Sequence, residues 1–249
     1  MVTNGEIFDF LCKKYPLDTA KNFDNPGFLV GDKAASTEKV IVCLDCDITA
    51  VRAAAKADAK LIITHHPVIF DGLKSVTAGS VVYELIKNGV SVISMHTNLD
   101  VAKGGVTDCL CNAIGLTAVK KYETQDDFTI RSAKTPAPTS ADEFALLIKE
   151  KLGYGVRYTG KNTVENLLVC SGSGCDYIDE AISGGYDGLI AADSKQKHFI
   201  KAINNDFALF DCGHFASENV IVEPLCRILS KKFKDIQFIP YSHGLIKSV

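Results

Sequence analysis

Three short segments place metal-type side chains directly after an apolar run. They are Ile62-Ile63-Thr64-His65-His66-Pro67, Ile93-Ser94-Met95-His96-Thr97-Asn98-Leu99-Asp100, and Leu209-Phe210-Asp211-Cys212-Gly213-His214-Phe215-Ala216-Ser217-Glu218. Imidazole nitrogens combined with carboxylate oxygens make a mixed donor set, suited to Zn, Mn or Fe rather than to a thiolate site. His65, His66, Asp100, His214 and Glu218 are therefore the candidate ligands of a two-metal site. Two adjacent divalent ions assist hydrolysis by polarising the attacked group and clamping the attacking and leaving oxygens.

Each segment also has a plainer reading. Neighbouring side chains on a strand face opposite sides. Pro67 ends the strand and pushes His66 out of helical geometry, so the two imidazoles splay at its exit; the plain alternative is one solvated and one hydrogen-bonded loop histidine. His214 and Glu218 are four apart and share a face if a helix begins near Gly213, with Pro224 kinking or restarting that helix. The alternative is a surface His beside a solvent-facing Glu. Asp100 competes with a role as cap of the helix after Gly104-Gly105. His96 suits a supporting role, holding a ligand carboxylate from behind. Lys195–Lys201 (KQKHFIK) reads as a solvated basic helix face, although His198 lies just past a strand end and could give similar support from there. Ser171-Gly172-Ser173-Gly174 lacks a following Lys-Ser/Thr and reads as a tight turn, not a phosphate loop.

Positioning these groups needs strands that end together. Apolar runs predict buried strands at Lys39–Leu44, Lys60–Ile63, Val90–Ser94, Asn166–Cys170, Gly188–Ala191 and Phe207–Phe210. Helical patterns separate most of them, at Ile48–Ala57, Ser80–Asn88, Thr107–Ala113, Tyr177–Ser183 and Lys195–Asn204, with a further helix at Asp142–Lys151. This alternation predicts an α/β fold with mostly parallel, buried strands joined by crossover helices. Ligands of such sheets gather outside the carboxyl ends of the strands, where all three motifs lie.

The pattern also repeats. Val42-Cys43-Leu44-Asp45, a helix and Leu61-Ile62-Ile63-Thr64 are matched by Val169-Cys170-Ser171-Gly172, a helix and Gly188-Leu189-Ile190-Ala191. Two similar α/β subdomains from an internal duplication are expected. Lys120–Ser140, rich in charge and Thr and carrying Pro136 and Pro138, reads as the passage between halves. The expected division is residues 1–125 and 126–249, the last helix packing back on the first half.

Bulk properties narrow the function classes. The 249 residues are 47% hydrophobic and 23% charged, enough for a core without staples. A net charge of -3 disfavours nucleic acid or an anionic membrane as the main partner. The start, Met1–Phe10, resembles a cap and an amphipathic helix rather than a leader, and no apolar stretch is long enough to span a bilayer. A cytoplasmic protein is the expectation. The nine cysteines lack finger-like spacing, Cys43 and Cys46 having no second pair, so they read as reduced, buried small residues.

With these motifs in order, the sequence closely resembles the Nif-three-like family, whose members include GTP cyclohydrolase type-2 homologues. Asp24-Asn25-Pro26-Gly27-Phe28-Leu29-Val30-Gly31 resembles its N-terminal signature, and Ile63-Thr64-His65-His66-Pro67-Val68-Ile69-Phe70 its double-histidine motif. His96–Asp100 and Gly213–Glu218 resemble the other two, so the likeness spans nearly the whole chain. The resemblance implies two α/β subdomains with a metal site in the cleft between them, two divalent ions per subunit held by His65, His66, Asp100, His214 and Glu218, a bridging role for Glu218, and a ring-like homohexamer. One departure is Ala191-Ala192-Asp193, where the family usually has Thr-Gly-Asp. The stretch between Asp127 and Asn166 is too short for the extra central domain some members carry.

Two function classes follow. The first is a metal-dependent hydrolase acting on a nucleotide or phosphate-bearing substrate, GTP ring opening being the family label. Arg52 and Arg131 are the nearest arginines to the motifs, so no cluster stands ready to grip a triphosphate. The second is a non-catalytic metal-binding scaffold or regulatory interaction protein, which predicts a ligand set saturated by the protein.

Overall fold

Two helices of the computed structural model open in the same way. Thr3 caps α1 (Asn4–Lys14) by accepting from the Glu6 N–H, and Glu6 returns a bond to the Thr3 N–H. Ser140 and Glu143 repeat this capping box at α6 (Ala141–Leu152). The structure describes residues 1–122, 129–242 and 244.

Between these helices run β1 (Gly27–Val30), β2 (Lys39–Cys43), α2 (Ile48–Ala57), β3 (Leu61–Thr64), α3 (Val81–Lys87), β4 (Ser91–Ser94), α4 (Thr97–Val101), α5 (Val106–Ala113), β5 (Thr117–Lys121) and β6 (Arg131–Thr139). After α6 follow β7 (Arg157–Tyr158), β8 (Val164–Val169), α7 (Ile178–Ser183), β9 (Gly188–Ala191), α8 (Gln196–Asn204), β10 (Ala208–Asp211), α9 (His214–Glu218), α10 (Val222–Lys232) and β11 (Gln237–Pro240).

The chain forms two compact units. One contains Met1–Ala102 and Ile221–His243, the other Lys103–Val220. The first holds a sheet ordered β1-β4-β3-β2-β11, in which β2, β3, β4 and β11 are parallel and β1 runs antiparallel against β4. The second holds a sheet ordered β5-β6-β8-β9-β10-β7, in which β8, β9 and β10 are parallel and β7 runs antiparallel against β10. The duplication expected from the sequence is thus visible as topology: β1-β4-β3-β2 and β7-β10-β9-β8 have the same order and directions. From α1 to β5 and from α6 to β11 the element order is the same, apart from short 3-10 turns. Each repeat ends in a helix and strand that count with the other unit, α5 and β5 in the second and α10 and β11 in the first.

All six predicted strands and the helices between them form. β3, β4, β9 and β10 are buried at every position, as strands covered on both faces must be. In the first unit Ile41, Ile62 and Val92 pack with Ala50, Val51 and Ala54 of α2 and Leu85 of α3. In the second, Leu167, Val169, Ile190 and Phe210 pack with Phe144 and Ile148 of α6 and Leu110 of α5.

Two expectations need correction. Lys120–Ser140 is not only a passage, because Arg131–Thr139 forms β6, paired antiparallel with β5 and β8. Its buried residues Arg131, Ala133 and Thr135 alternate as a strand requires, but Pro136 and Pro138 hid the pattern. The ladder is irregular between Lys134 and Thr139, where those prolines sit. The basic stretch of α8 is not simply solvated, since His198 and Ala202 are buried. The short strands β1, β5, β7 and β11 were not expected at all. The boundary expected at 125/126 lies outside the described residues.

A candidate metal centre

In the first unit the side chains gather where β2, β3 and β4 end. Thr64 closes β3 by donating its hydroxyl to the Leu44 carbonyl (2.6 Å), and the His66 N–H bonds the same carbonyl (3.0 Å). This anchors His65 and His66 at the strand exit, with ring centroids 5.1 Å apart. His96 leaves β4 beside them, its ring 5.1 Å from His65 and 5.6 Å from His66. Each of the three offers a ring nitrogen within 4.8 Å of the others. Asp100 lies on α4, buried, with Oδ1 3.5 Å from His65 Nε2. α4 is itself pinned by Asn98, whose amide donates to the Tyr15 carbonyl (2.9 Å).

Every Nδ1 of this group has an oxygen partner. His65 Nδ1 faces the Met95 carbonyl (2.8 Å), His66 Nδ1 the Asp45 carboxylate (2.7 Å) and His96 Nδ1 the Asp24 carboxylate (2.7 Å). A carbonyl oxygen only accepts, so His65 carries its proton on Nδ1 and, when neutral, presents a lone pair at Nε2. That lone pair faces a carboxylate oxygen, an arrangement that calls for a proton or a cation between them. Burial alone would raise the Asp24 carboxyl, but hydrogen bonds from His96 and Thr97 and the His96 charge outweigh it and hold it at about 2.

In the second unit the side chains gather after β8, β9 and β10. Gly213, at φ 78, makes the turn into α9, and Tyr154 packs where a Cβ would stand, 2.4 Å away. His214 and Glu218 begin and end α9 and share a face as their spacing predicts, with His214 Nε2 3.0 Å from Glu218 Oε2. His214 Nδ1 lies 2.7 Å from Asp193 Oδ2, and Ser173 donates its hydroxyl to the same oxygen. The hydrogen bond to Glu218, opposed by burial and reinforced by both carboxylate charges, raises the His214 imidazolium to about 9. Asp193 is itself lowered: burial is overcome by bonds from Ser173 and His214. Its backbone is left-handed (φ 59), a conformation non-glycine residues rarely adopt. The Ser171–Gly174 run is the tight turn the sequence suggested, with Gly174 N bonded to Gly172 O (2.8 Å).

The structure therefore brings His65, His66, His96 and Asp100 together in one unit and His214 and Glu218 together in the other. His96 was expected only to steady a carboxylate, but it stands in the histidine cluster with Asp24 steadying it. His198, the other supporting candidate, is occupied at the start of α8, where Nδ1 accepts from the Lys195 N–H (3.1 Å) and Nε2 lies 3.4 Å from Asp176. The sequence reading missed the roles of Asp24, Asp45 and Asp193. A signal for two of them existed: Asp45 and Asp193 each follow a buried strand and each partner a histidine 21 residues later at 2.7 Å.

These donors fit divalent cations. Imidazoles whose Nδ1 is tied to oxygen, facing carboxylates, are what metal-ligating histidines require. In the second unit a Cβ on Gly172 (φ 64) would stand 2.0 Å from Glu218 Oε1 and 3.3 Å from His214 Nε2, so glycine keeps this cradle clear. Cysteine ligation is disfavoured, since all nine cysteines are free thiols and burial pushes Cys46, Cys111 and Cys212 up to about 12. Among the described residues no helix is long and apolar enough to cross a membrane.

Comparison with known proteins agrees with the motifs. The chain is 30% identical over 248 residues to a Clostridium perfringens protein named GTP cyclohydrolase 1 type 2 homolog, covering 94% of each. A Staphylococcus aureus hypothetical protein of known structure superposes with a TM-score of 0.93 at 24% identity, covering 100% of this chain and 99% of the other. A Bacillus cereus protein related to NIF3 does so with a TM-score of 0.90 at 19% identity, covering 99% and 98%. Residues 2–243 match the family described as Duf34/NIF3 (NGG1p interacting factor 3), and the chain belongs to that family.

Proposed function

We propose that this protein is a metal-dependent hydrolase that holds two divalent ions, Zn, Mn or Fe, and acts on a nucleotide or other phosphate-bearing substrate. The ligands are His65, His66 and Asp100 in the first unit and His214 and Glu218 in the second, with His96 added from its place in the histidine cluster. The observation that carries this reading is the set of imidazoles with Nδ1 committed to oxygen, His65 and His214 each turning Nε2 toward a carboxylate. A bound divalent cation supplies positive charge that polarises a phosphoryl or carbonyl oxygen of the substrate.

The protein's own groups do the remaining work. Asp24, Asp45 and the Met95 carbonyl keep the three imidazoles in one tautomer and orientation. His214, between Asp193 and Glu218, holds a proton at Nε2 at neutral pH, which a cation ligated there would have to displace. The nucleotide preference is supported by the names of the relatives, GTP cyclohydrolase 1 type 2 homologs. Assembly as a homohexameric ring belongs to the same reading, and light scattering of the purified protein tests it.

The decisive experiment measures metal content of wild type and Asp100→Ala, then screens each metal-loaded form against GTP, phosphodiesters and phosphomonoesters. Wild type should hold about two equivalents and turn over one of these classes, while Asp100→Ala should lose metal and rate together. Full metal loading with no turnover of any of them would overturn the hydrolase and leave a metal-binding scaffold.

A further inference from the structure

Of the phenylalanines the structure describes, only Phe23 and Phe70 are exposed, at 64% and 46%. Far apart in sequence, they meet in the first unit with ring centroids 6.3 Å apart. Phe70 also sets its ring edge-to-face against His96, 6.2 Å away. Exposed aromatic rings cost hydration free energy, and scattered single ones need no explanation. Two that converge beside a histidine cluster do.

The platform is built in. Phe23 precedes Asp24, the residue whose carboxylate holds His96 Nδ1 at 2.7 Å and accepts from the Thr97 N–H at 3.0 Å. The next residue, Asn25, donates its amide to the carbonyl of Ile69 at 2.7 Å, adjoining Phe70. The run Phe23-Asp24-Asn25 thus ties both phenyl rings to the imidazole of His96, so the rings are placed before any ligand arrives.

We propose that Phe23 and Phe70 form a ring-stacking subsite for a planar heteroaromatic group, the base of the substrate, presented to the histidine cluster. The inference rests on the function proposed above and deepens it. The hydrocarbon faces of the two rings favour a flat π system, and His96 marks the side on which its polar atoms lie. Because every base has a π face, such a platform selects for the presence of a base rather than for one base.

The test compares binding of GTP and of inorganic tripolyphosphate by calorimetry, with metal-loaded wild type, Phe23→Ala, Phe70→Ala, the double variant and Phe70→Tyr. Each alanine variant should weaken GTP roughly five- to a hundredfold, the range of one base–aromatic stack, and leave tripolyphosphate unchanged; Phe70→Tyr should retain GTP. Because the chain has no tryptophan, Phe70→Trp adds a single reporter, and guanosine should quench it while ribose 5-phosphate should not. GTP affinity unchanged in the double variant overturns the subsite while leaving the proposed function standing. Equal loss of GTP and tripolyphosphate overturns it as well, as does a change confined to the oligomeric mass, which would make the rings a contact between copies. Wild type that binds neither probe overturns the subsite and the nucleotide preference it rests on, while turnover of a phosphodiester or phosphomonoester would keep the hydrolase.

Discussion

Replacing Gly172 by alanine separates backbone strain from damage to the candidate centre. Gly172 sits at φ 64 in the turn after β8, and Gly153 sits at the same φ of 64 in the C-cap of α6. An alanine at either position pays the left-handed penalty of about 1 kcal/mol, which for a chain of this size lowers Tm by roughly 2–4 °C. At Gly153 nothing lies within 4 Å of the new Cβ, so strain is the whole cost. At Gly172 the Cβ stands 2.0 Å from Glu218 Oε1. Restoring ordinary contact at ~3.4 Å requires the carboxylate to retreat by about 1.4 Å, several times the ~0.2 Å tolerance of a ligand distance. The expected result is a Tm shift at least as large in Gly172→Ala as in Gly153→Ala, with Zn or Mn affinity reduced at least tenfold only in Gly172→Ala. Equilibrium dialysis with elemental analysis reads the affinity and calorimetry reads the Tm. If Gly172→Ala binds metal as tightly as Gly153→Ala, Glu218 is not a ligand in the conformation described.

Three further outcomes are expected. The His214 imidazolium is raised to about 9 from 6.5, so in metal-free protein its contribution to stability is full below pH 6.5 and is lost as pH rises through 9; its NMR titration should show that midpoint, and Glu218→Gln should move it down. The Asp24 carboxyl is depressed to about 2 from 3.8, so its contribution is present above pH 3.8 and fades as pH falls through 2; the stability difference between wild type and Asp24→Asn, about 2 kcal/mol for this buried side chain, should shrink over that window in acid unfolding, and an unchanged difference would refute it. Arg131, 1% exposed, pairs with Asp108, so Arg131→Ala should cost about 3–5 kcal/mol in urea unfolding by stranding a charge; a loss below about 1 kcal/mol would show that water reaches the pair.

Much of the fold was legible because its signals are local. Buried parallel strands read as apolar runs, which located β2, β3, β4, β8, β9 and β10, and the helix of His214 and Glu218 followed from their spacing. β6 was not legible, since two prolines mask its alternation and its partner β8 lies beyond α6 and β7 in the sequence. β1, β5, β7 and β11 are the edge strands of the two sheets and partly buried or exposed, so they lack the continuous buried runs that mark the inner strands.

The sequence by itself determined which side chains were available and which strand ends would carry them, because residue type and apolar periodicity are properties of neighbouring positions. Only the tertiary structure decided what each histidine faces. Asp24 reaches His96 across 72 residues, and Asp45 and Asp193 each reach a histidine 21 residues away. Such pairings depend on how strands stack side by side, which no local pattern encodes. The same stacking put His96 into the cluster with His65 and His66, left Gly172 as the space for Glu218, and sent the last helix and strand of each repeat to the other unit.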